Sequence, residues 1–326
     1  TKDTMNLDRK SLTLNVTPET HLFIQRIHSQ PEGTSHSPPP SEKDVTFVQE
    51  NVDLKSIPIQ YKDAFFKLLV DFHDVFSRNH LDVGHCKVMP HHIRLKDPSQ
   101  VVNIPPYRAP HYLQEIQFDY VKELEAAGVV RKSTSPFSSP LLLVKKANAN
   151  PALPLTSQYR PCHNYVALNR NLHSCSYPLR SLYELVDSVS QGKVKSVLDL
   201  SAGFHSQELI DPYEATAFTV QGLGTYSYLR SPMGIVSSPA YFQRMIEFCL
   251  GGIKHCYCYL DDVVLSNHTY EEHLVTLREV LARLRKYNLK INLRKAAFGK
   301  CTVEYLGYSV GDKIRPGARK TECIAN

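Results

Sequence analysis

Tryptophan is absent from the 326 residues, and no apolar run approaches the length of a membrane-spanning helix. The N-terminal residues carry no signal-peptide pattern. The first residue is Thr rather than Met, so the sequence is expected to be a piece of a longer product. Its cysteines (Cys86, Cys162, Cys175, Cys249, Cys256, Cys258, Cys301 and Cys323) are scattered without a pair of CxxC motifs, which argues against a structural zinc site. A reduced, intracellular chain is expected. Cys256 and Cys258 alternate on an apolar run and read as small core residues. No internal repeat is visible. The net charge of +6 is a mild lean toward polyanionic partners and no more.

What is present is a chain long enough for two or three subdomains. Residues 1–57 are polar and irregular, with Pro38-Pro39-Pro40 as a stiff linker, and little packed structure is expected before about Val52. Apolar spacing predicts helices over 60–76, 110–127, 179–189, 239–250 and 270–287. Strands are predicted over 141–146, 159–165, 194–200, 216–220, 225–229 and 303–310, with a loop over 147–158. From residue 194 onward the spine reads β, α, β, β, α, β. That is the split βαβ order of the ferredoxin-like sheet, four antiparallel strands with helices on one face.

One feature interrupts this spine. In Cys256-Tyr257-Cys258-Tyr259-Leu260-Asp261-Asp262-Val263-Val264-Leu265 two carboxylates break what otherwise reads as one buried β segment. Unpaired carboxylates are costly to bury. A tight hairpin with the acids at its tip gives them access to water, and a divalent cation gives them a partner. Asp199 ends the first strand of the spine, which the fold places beside that hairpin. Three carboxylates at one sheet edge repel one another unless cations occupy the site. Two Mg²⁺ ions, hard and oxygen-seeking, would suit such a set and a phosphoryl transfer. A lone Asp-Asp is more often a turn or cap, and it is the apolar flanks and Asp199 that raise this pair above that reading.

Several ordered blocks then carry a resemblance. They are Ser135-Pro136-Phe137-Ser138-Ser139-Pro140, Leu143-Val144-Lys145-Lys146, Tyr159-Arg160-Pro161-Cys162, Leu168-Asn169, Tyr177-Pro178-Leu179, Leu198-Asp199-Leu200-Ser201-Ala202-Gly203-Phe204-His205, Thr216-Ala217-Phe218, Pro232-Met233-Gly234, Ser238-Pro239-Ala240-Tyr241-Phe242-Gln243, Tyr259-Leu260-Asp261-Asp262 and Glu304-Tyr305-Leu306-Gly307-Tyr308. From about Phe65 onward the chain resembles the reverse transcriptase of gypsy-type LTR retrotransposons, and more distantly that of retroviruses.

The resemblance implies an α+β right-hand polymerase. Fingers and an N-terminal helix would occupy 58–193, the palm 194–310, and the start of a thumb or connection 311–326. It implies Asp199 and Asp261 as metal ligands with the Leu200 carbonyl assisting, Asp262 completing the catalytic triad, and two Mg²⁺ (or Mn²⁺) ions. Lys146 (or Lys145), Arg160, Phe204, Met233 and Gly234 would contact the dNTP, with Phe204 set against a ribose 2′-OH. Lys295 would be a general acid, and Tyr305, Leu306 and Gly307 a primer grip. Implied partners are an RNA or DNA template-primer, dNTPs, and the RNase H and integrase regions of a parent polyprotein, with no membrane. The implied setting is cytoplasmic, in virus-like particles, with a nuclear step. Basic residues outnumber acidic ones from 270 to 300, which offers a phosphate-tracking face or an ordinary solvated one. The chain departs from the family at Asn164-Tyr165-Val166, where Asp-Tyr-Arg is usual, and at Phe137, where Trp is usual. A catalytically impaired nucleic-acid-binding module is the alternative that those departures raise.

Overall fold

The computed structural model describes residues 39–79, 82–146, 158–201 and 203–317. In chain order the helices are α1 (Glu42–Asn51), α2 (Ile59–Asp71), α3 (His111–Ala126), α4 (Val166–Arg170), α5 (Leu182–Ser190), α6 (Ser238–Leu250) and α7 (Tyr270–Lys286). The strands are β1 (Cys86–His92), β2 (Val130–Lys132), β3 (Leu141–Lys145), β4 (Tyr159–His163), β5 (Val194–Asp199), β6 (Gln207–Ile210), β7 (Phe218–Val220), β8 (Gly224–Tyr228), β9 (Cys256–Tyr259), β10 (Asp262–Asn267), β11 (Ala297–Lys300), β12 (Val303–Tyr305), β13 (Tyr308–Val310) and β14 (Ile314–Pro316). No helix among the described residues is long and apolar enough to cross a membrane.

The central sheet has the order β11-β5-β10-β9, every neighbouring pair antiparallel. With α6 and α7 as the two crossovers this is the expected split βαβ fold. Period-two alternation sends Leu198, Val263 and Leu265 to one face, where they meet Met245, Ile246, Leu277 and Leu281 of the two helices. Val197 and Val264 point the other way, toward Leu185, Val186 and Val189 of α5 and toward Tyr305 and Val310. Helix α7 is capped by Thr269, whose side chain accepts from the Glu272 amide. It places Glu271 and Glu272 in its first turn and Arg283, Arg285 and Lys286 in its last, complementing the helix dipole.

Three expectations need correction. The fourth strand of the sheet is β11, not 303–310. Leu306 (φ 50°) and Gly307 (φ 77°) are both left-handed, so that segment folds back as the β12–β13 hairpin of a separate three-stranded sheet. Strand β11 is recruited by a close approach. Gly299 has φ 59°, and a Cβ there would lie 2.7 Å from the Ile57 side chain.

The region before Val52 is not unstructured throughout. Residues 1–38 lie outside the described residues, but Ser41 opens α1 with a reciprocal capping box to Asp44. Val48 of that helix is fully buried in the sheet's core beside residues of α2 and α7. Val48→Ala is expected to lower stability by about 2 kcal/mol, read as a shift of the denaturant midpoint. An unchanged midpoint would show that α1 does not dock.

Finally, the expected boundary near 193 does not divide the cores. Helices α1 and α2 pack with the central sheet. The segment carrying β6, β7 and β8 packs instead with α3, β2 and β3, through Leu209, Phe218 and Tyr226 against Val121, Leu124 and Leu141. The expected thumb start over 311–326 is described only to residue 317, where β14 completes the small sheet.

Candidate active site

Strands β9 and β10 are joined by a two-residue turn, Leu260-Asp261, because Tyr259 and Asp262 are already paired. Asp262 lies directly across from Asp199 in the β10–β5 ladder. Directly opposed residues of an antiparallel pair share a face. Both side chains therefore continue the Val197 and Val264 rows, on the face away from α6 and α7. The Leu200 amide donates to the Asp261 carbonyl at 3.0 Å, and the Asn292 amide to the Asp199 carbonyl at 2.9 Å. These bonds fix the turn to the end of β5. Asp261 is exposed at the tip, Asp199 and Asp262 are half-buried, and Leu200 is buried.

Electrostatics mark the cluster as short of positive charge. Burial and the neighbouring Asp261 and Asp199 charges push the Asp262 carboxyl up to about 6. Burial also raises Asp199, opposed by Lys295. Lys295 Nζ sits 3.3 Å from Asp199 Oδ2, which brings this expected general acid into the site. Among the described residues no three His, Cys, Asp or Glu side chains converge on one metal-sized position. The three acids nonetheless stand at one sheet edge, close enough that the Asp261 and Asp199 charges both act on the Asp262 carboxyl. The donor set still fits a hard divalent cation, which takes two protein carboxylates and completes its shell with water or phosphate oxygen.

The expected phosphate-gripping cations sit on the β3–β4 ribbon. Arg160 pairs with Val144, and the Lys146 amide continues the ladder to the Gln158 carbonyl at 2.9 Å. Lys146 and Arg160 are then diagonal neighbours on one face, both exposed. Lys145 pairs with Tyr159 on the opposite face and lies near Tyr112. Lys146 thus shares a face with Arg160, and Lys145 does not. The loop expected over 147–158 lies almost entirely outside the described residues.

Phe204, on the 3₁₀ turn Gly203–Ser206, packs half-buried on Phe242 with ring centroids 5.1 Å apart. Met233 is exposed, and Gly234 has φ 93°, a conformation that favours glycine. Their loop is clamped by Asn169. Its Nδ2 donates to the Gly234 carbonyl at 2.8 Å and its Oδ1 accepts from the Val236 amide at 2.9 Å. Deeper in, His91 holds the two ends of the same loop through Ser231 and Ser237, both at 2.8 Å. Neither Asn169 nor His91 was given a role from sequence. Asn169 stood in a motif block, but only tertiary structure shows what it touches.

At the divergent Asn164-Tyr165-Val166, Asn164 Oδ1 accepts from the Val166 amide at the start of α4, and its Nδ2 donates to the Tyr107 hydroxyl. Val166 is exposed, so no buried partner is left without its charge.

Two further expectations change. Tyr305 is a core residue, 2% exposed, and cannot itself grip a primer. Its hydroxyl is raised by burial and by nearby Cys258 and Asp262. Only the Leu306-Gly307 turn reaches the surface, with Gly307 exposed. The cations between 270 and 300 do not form a free phosphate face. Arg285 holds Asp74 through Nε at 3.0 Å, Arg294 holds Asn51 at 2.8 Å, Lys300 holds Asp53 at 2.8 Å, and Lys290 caps the Asp74 carbonyl. They bind the N-terminal helices to the sheet.

A split βαβ sheet with strand-end carboxylates on the face away from its two crossover helices, together with a ribbon bearing Lys146 and Arg160, is the palm and fingers of a polymerase fold. Residues 144–310 match the family described as reverse transcriptase (RNA-dependent DNA polymerase). The retrovirus-related Pol polyprotein from transposon 412 of Drosophila melanogaster is 31% identical over 278 residues, 83% of this chain and 22% of that one. The corresponding polyprotein from transposon gypsy of the same organism is 32% identical over 212 residues, 63% of this chain and 20% of that one. The foamy viral protease–reverse transcriptase solved in complex with an RNA/DNA hybrid superposes with a TM-score of 0.75. It is 23% identical, and the match covers 91% of this chain and 39% of that one. The chain belongs to the reverse transcriptase family, as a domain of the LTR-retrotransposon kind. It spans about a fifth of the length of the curated relatives it matches.

Proposed function

We propose that this chain carries the polymerase centre of an RNA-directed DNA polymerase, adding dNTPs to a primer 3′-OH on an RNA or DNA template. The observation that carries the proposal is the cross-strand pairing of Asp199 with Asp262, with Asp261 at the adjoining turn and Lys295 against Asp199. A purely structural sheet edge has no need of two opposed acids, one of them held near 6 by burial and by the neighbouring acids.

In this reading Asp199 and Asp261 would hold the divalent ions, and Asp262 would set the field around them. Two Mg²⁺ (or Mn²⁺) ions would supply activation of the attacking oxygen and neutralisation of the leaving charge. Lys146 and Arg160 grip the triphosphate from one face of the ribbon, a point charge and a fork that both suit phosphate oxygen. Phe204 lies against the sugar, while Met233 and Gly234 lie against the nascent pair. Lys295, beside Asp199, would act as the general acid toward the departing pyrophosphate. Leu306 and Gly307 meet the primer, with Tyr305 supporting them from the core. In the parent polyprotein, RNase H and integrase regions would be covalent neighbours, working in cytoplasmic virus-like particles with a nuclear step.

The test is Mg²⁺-dependent incorporation of dTTP on poly(rA)/oligo(dT) by the chain itself. Time-dependent primer extension, abolished by chelation, is expected. Template binding with no extension in Mg²⁺ or Mn²⁺ would overturn the proposal in favour of a binding module.

A further inference from the structure

The turn that carries Asp261 is not held by its own ladder alone. Leu260 has φ 53°, a left-handed conformation that costs a side-chain-bearing residue about 1–2 kcal/mol. Such a residue persists only where its surroundings fix it. One side of the turn is fixed by the Leu200 amide on the Asp261 carbonyl. The other side meets Gln243 of α6, which is 1% exposed and comes up beneath the hairpin. Gln243 Oε1 accepts from the Leu260 amide at 2.7 Å, and Nε2 donates to the Cys258 carbonyl at 3.2 Å. The same Nε2 donates to Glu247 Oε1 at 2.8 Å, and the Tyr177 hydroxyl donates to Glu247 Oε2 at 2.6 Å.

These contacts determine the amide's orientation. The Leu260 N–H can only donate and the Cys258 carbonyl can only accept, so oxygen faces the first and nitrogen the second. Both Nε2 hydrogens are then used, one on the hairpin and one on Glu247. A flipped amide would set its NH₂ against the Leu260 N–H and its oxygen against the Glu247 carboxylate. Glu247 therefore locks Gln243, and Tyr177 locks Glu247. No shorter polar side chain on α6 supplies both an acceptor and two donors at that reach.

The geometry points to Gln243 as the positioning residue that fixes the Leu260-Asp261 turn, with Glu247 and Tyr177 holding its amide in the required orientation. It touches neither substrate nor metal; it acts through the backbone of Cys258 and Leu260, immediately before the metal-binding carboxylate. This rests on the function proposed above for Asp261, and it assigns a task to two motif blocks, around Tyr177 and around Gln243, that the chemistry leaves without one. A displacement of about 1 Å in a reacting group costs roughly 100-fold in rate, so the effect is expected in kcat and not in KM.

Two measurements separate this inference from the proposed function. The first is hydrogen exchange of the Leu260 amide, followed by NMR on the whole chain. It is expected to be protected in the wild type. In Gln243→Leu and Glu247→Leu it should be deprotected, while the amides of Val263 and Val264 stay protected. The second is steady-state dTTP incorporation on poly(rA)/oligo(dT). Both Leu variants should lose kcat by about 100-fold with KM for dTTP little changed, and Glu247→Gln, which keeps an acceptor for Nε2, should recover both protection and kcat. Unchanged Leu260 exchange in the two Leu variants overturns the inference, as does full kcat with an intact fold. If the wild type incorporates nothing, the proposed function fails, and the exchange measurement still decides whether Gln243 holds the turn. Should Gln243→Leu not fold, the Glu247→Leu and Glu247→Gln pair carries the same decision.

Discussion

Asp261→Asn is expected to reduce dTTP incorporation by at least about 1,000-fold while leaving the fold intact. Asn keeps the size of the side chain and a carbonyl oxygen, and loses the charge that a divalent cation needs. The fold should survive because Asp261 is exposed and because its tie to β5 runs through its backbone carbonyl, not its carboxylate. Single-turnover incorporation, with circular dichroism as the folding control, measures this directly, and wild-type rates in the variant would remove Asp261 from the chemistry. Asp262→Asn is expected to behave differently. Its carboxyl is raised to about 6 from an ordinary 3.8, so the protonated form suits the folded state better. The stability this group contributes is complete below about pH 4 and is lost as pH rises through 6. At pH 7 in the absence of divalent metal, Asp262→Asn should therefore be the more stable protein, by on the order of 1–2 kcal/mol.

The acidic edge was legible in the sequence because its signal is local. Two acids inside an alternating apolar run place themselves at a turn, and a strand ending in Asp199 has few neighbours available in a split βαβ sheet. Which of Lys145 and Lys146 shares a face with Arg160 was not legible, since it depends on ribbon register, which pairing alone sets. Strand β11 was missed because Ala-Phe-Gly-Lys is short and glycine-bearing, while the more aromatic 303–310 segment looked the better strand. Only the two consecutive left-handed residues at 306 and 307 divide that segment, and Leu306 is not a residue that announces such a conformation. Helix α1 was missed for a related reason. Among its ten residues only Val48 is fully buried, so its apolar period is too faint to read beside a proline-rich neighbour.

The basic residues between 270 and 300 make a sharper point. Composition leaves them open between a face for phosphate and an ordinary solvated one, and Arg285, Lys290, Arg294 and Lys300 answer acids and carbonyls from residues 51–74. Charge counts along one segment cannot reveal a partner more than 200 residues away. The consequence for function is that α1 and α2 belong to the palm physically. They share one core with α6, which carries Gln243, and with α7, the two helices that close the sheet beneath the carboxylates.

Acid is expected to unfold this protein through its buried imidazoles well before its carboxylates are exhausted. His91 and His273 are both fully buried, and burial pushes each down to about 3 from an ordinary 6.5. His273 bridges Ser196 Oγ at 2.6 Å and Asn267 Oδ1 at 2.8 Å, linking α7 to β5 and β10. His91 bridges Ser231 and Ser237. As neutral rings each can accept on one nitrogen and donate on the other; as cations neither can accept. Their contribution is complete above about pH 6.5 and is lost as pH falls toward 3. Each then costs about 1.4 kcal/mol per pH unit, or about 4 kcal/mol for the pair between pH 6.5 and 5. That is a large part of a typical stability of about 5–15 kcal/mol. His163 and His205, less completely covered, shift in the same direction. Asp262 titrates with the opposite sign over the same window, and one carboxylate offsets only part of the loss. Urea denaturation between pH 7.5 and 5 should show midpoints falling steeply with acid. In His273→Leu the midpoint at pH 7.5 should be lower, and the pH slope shallower by about 1.4 kcal/mol per unit. An unchanged slope in that variant would mean that His273 takes up its proton without cost in the folded state.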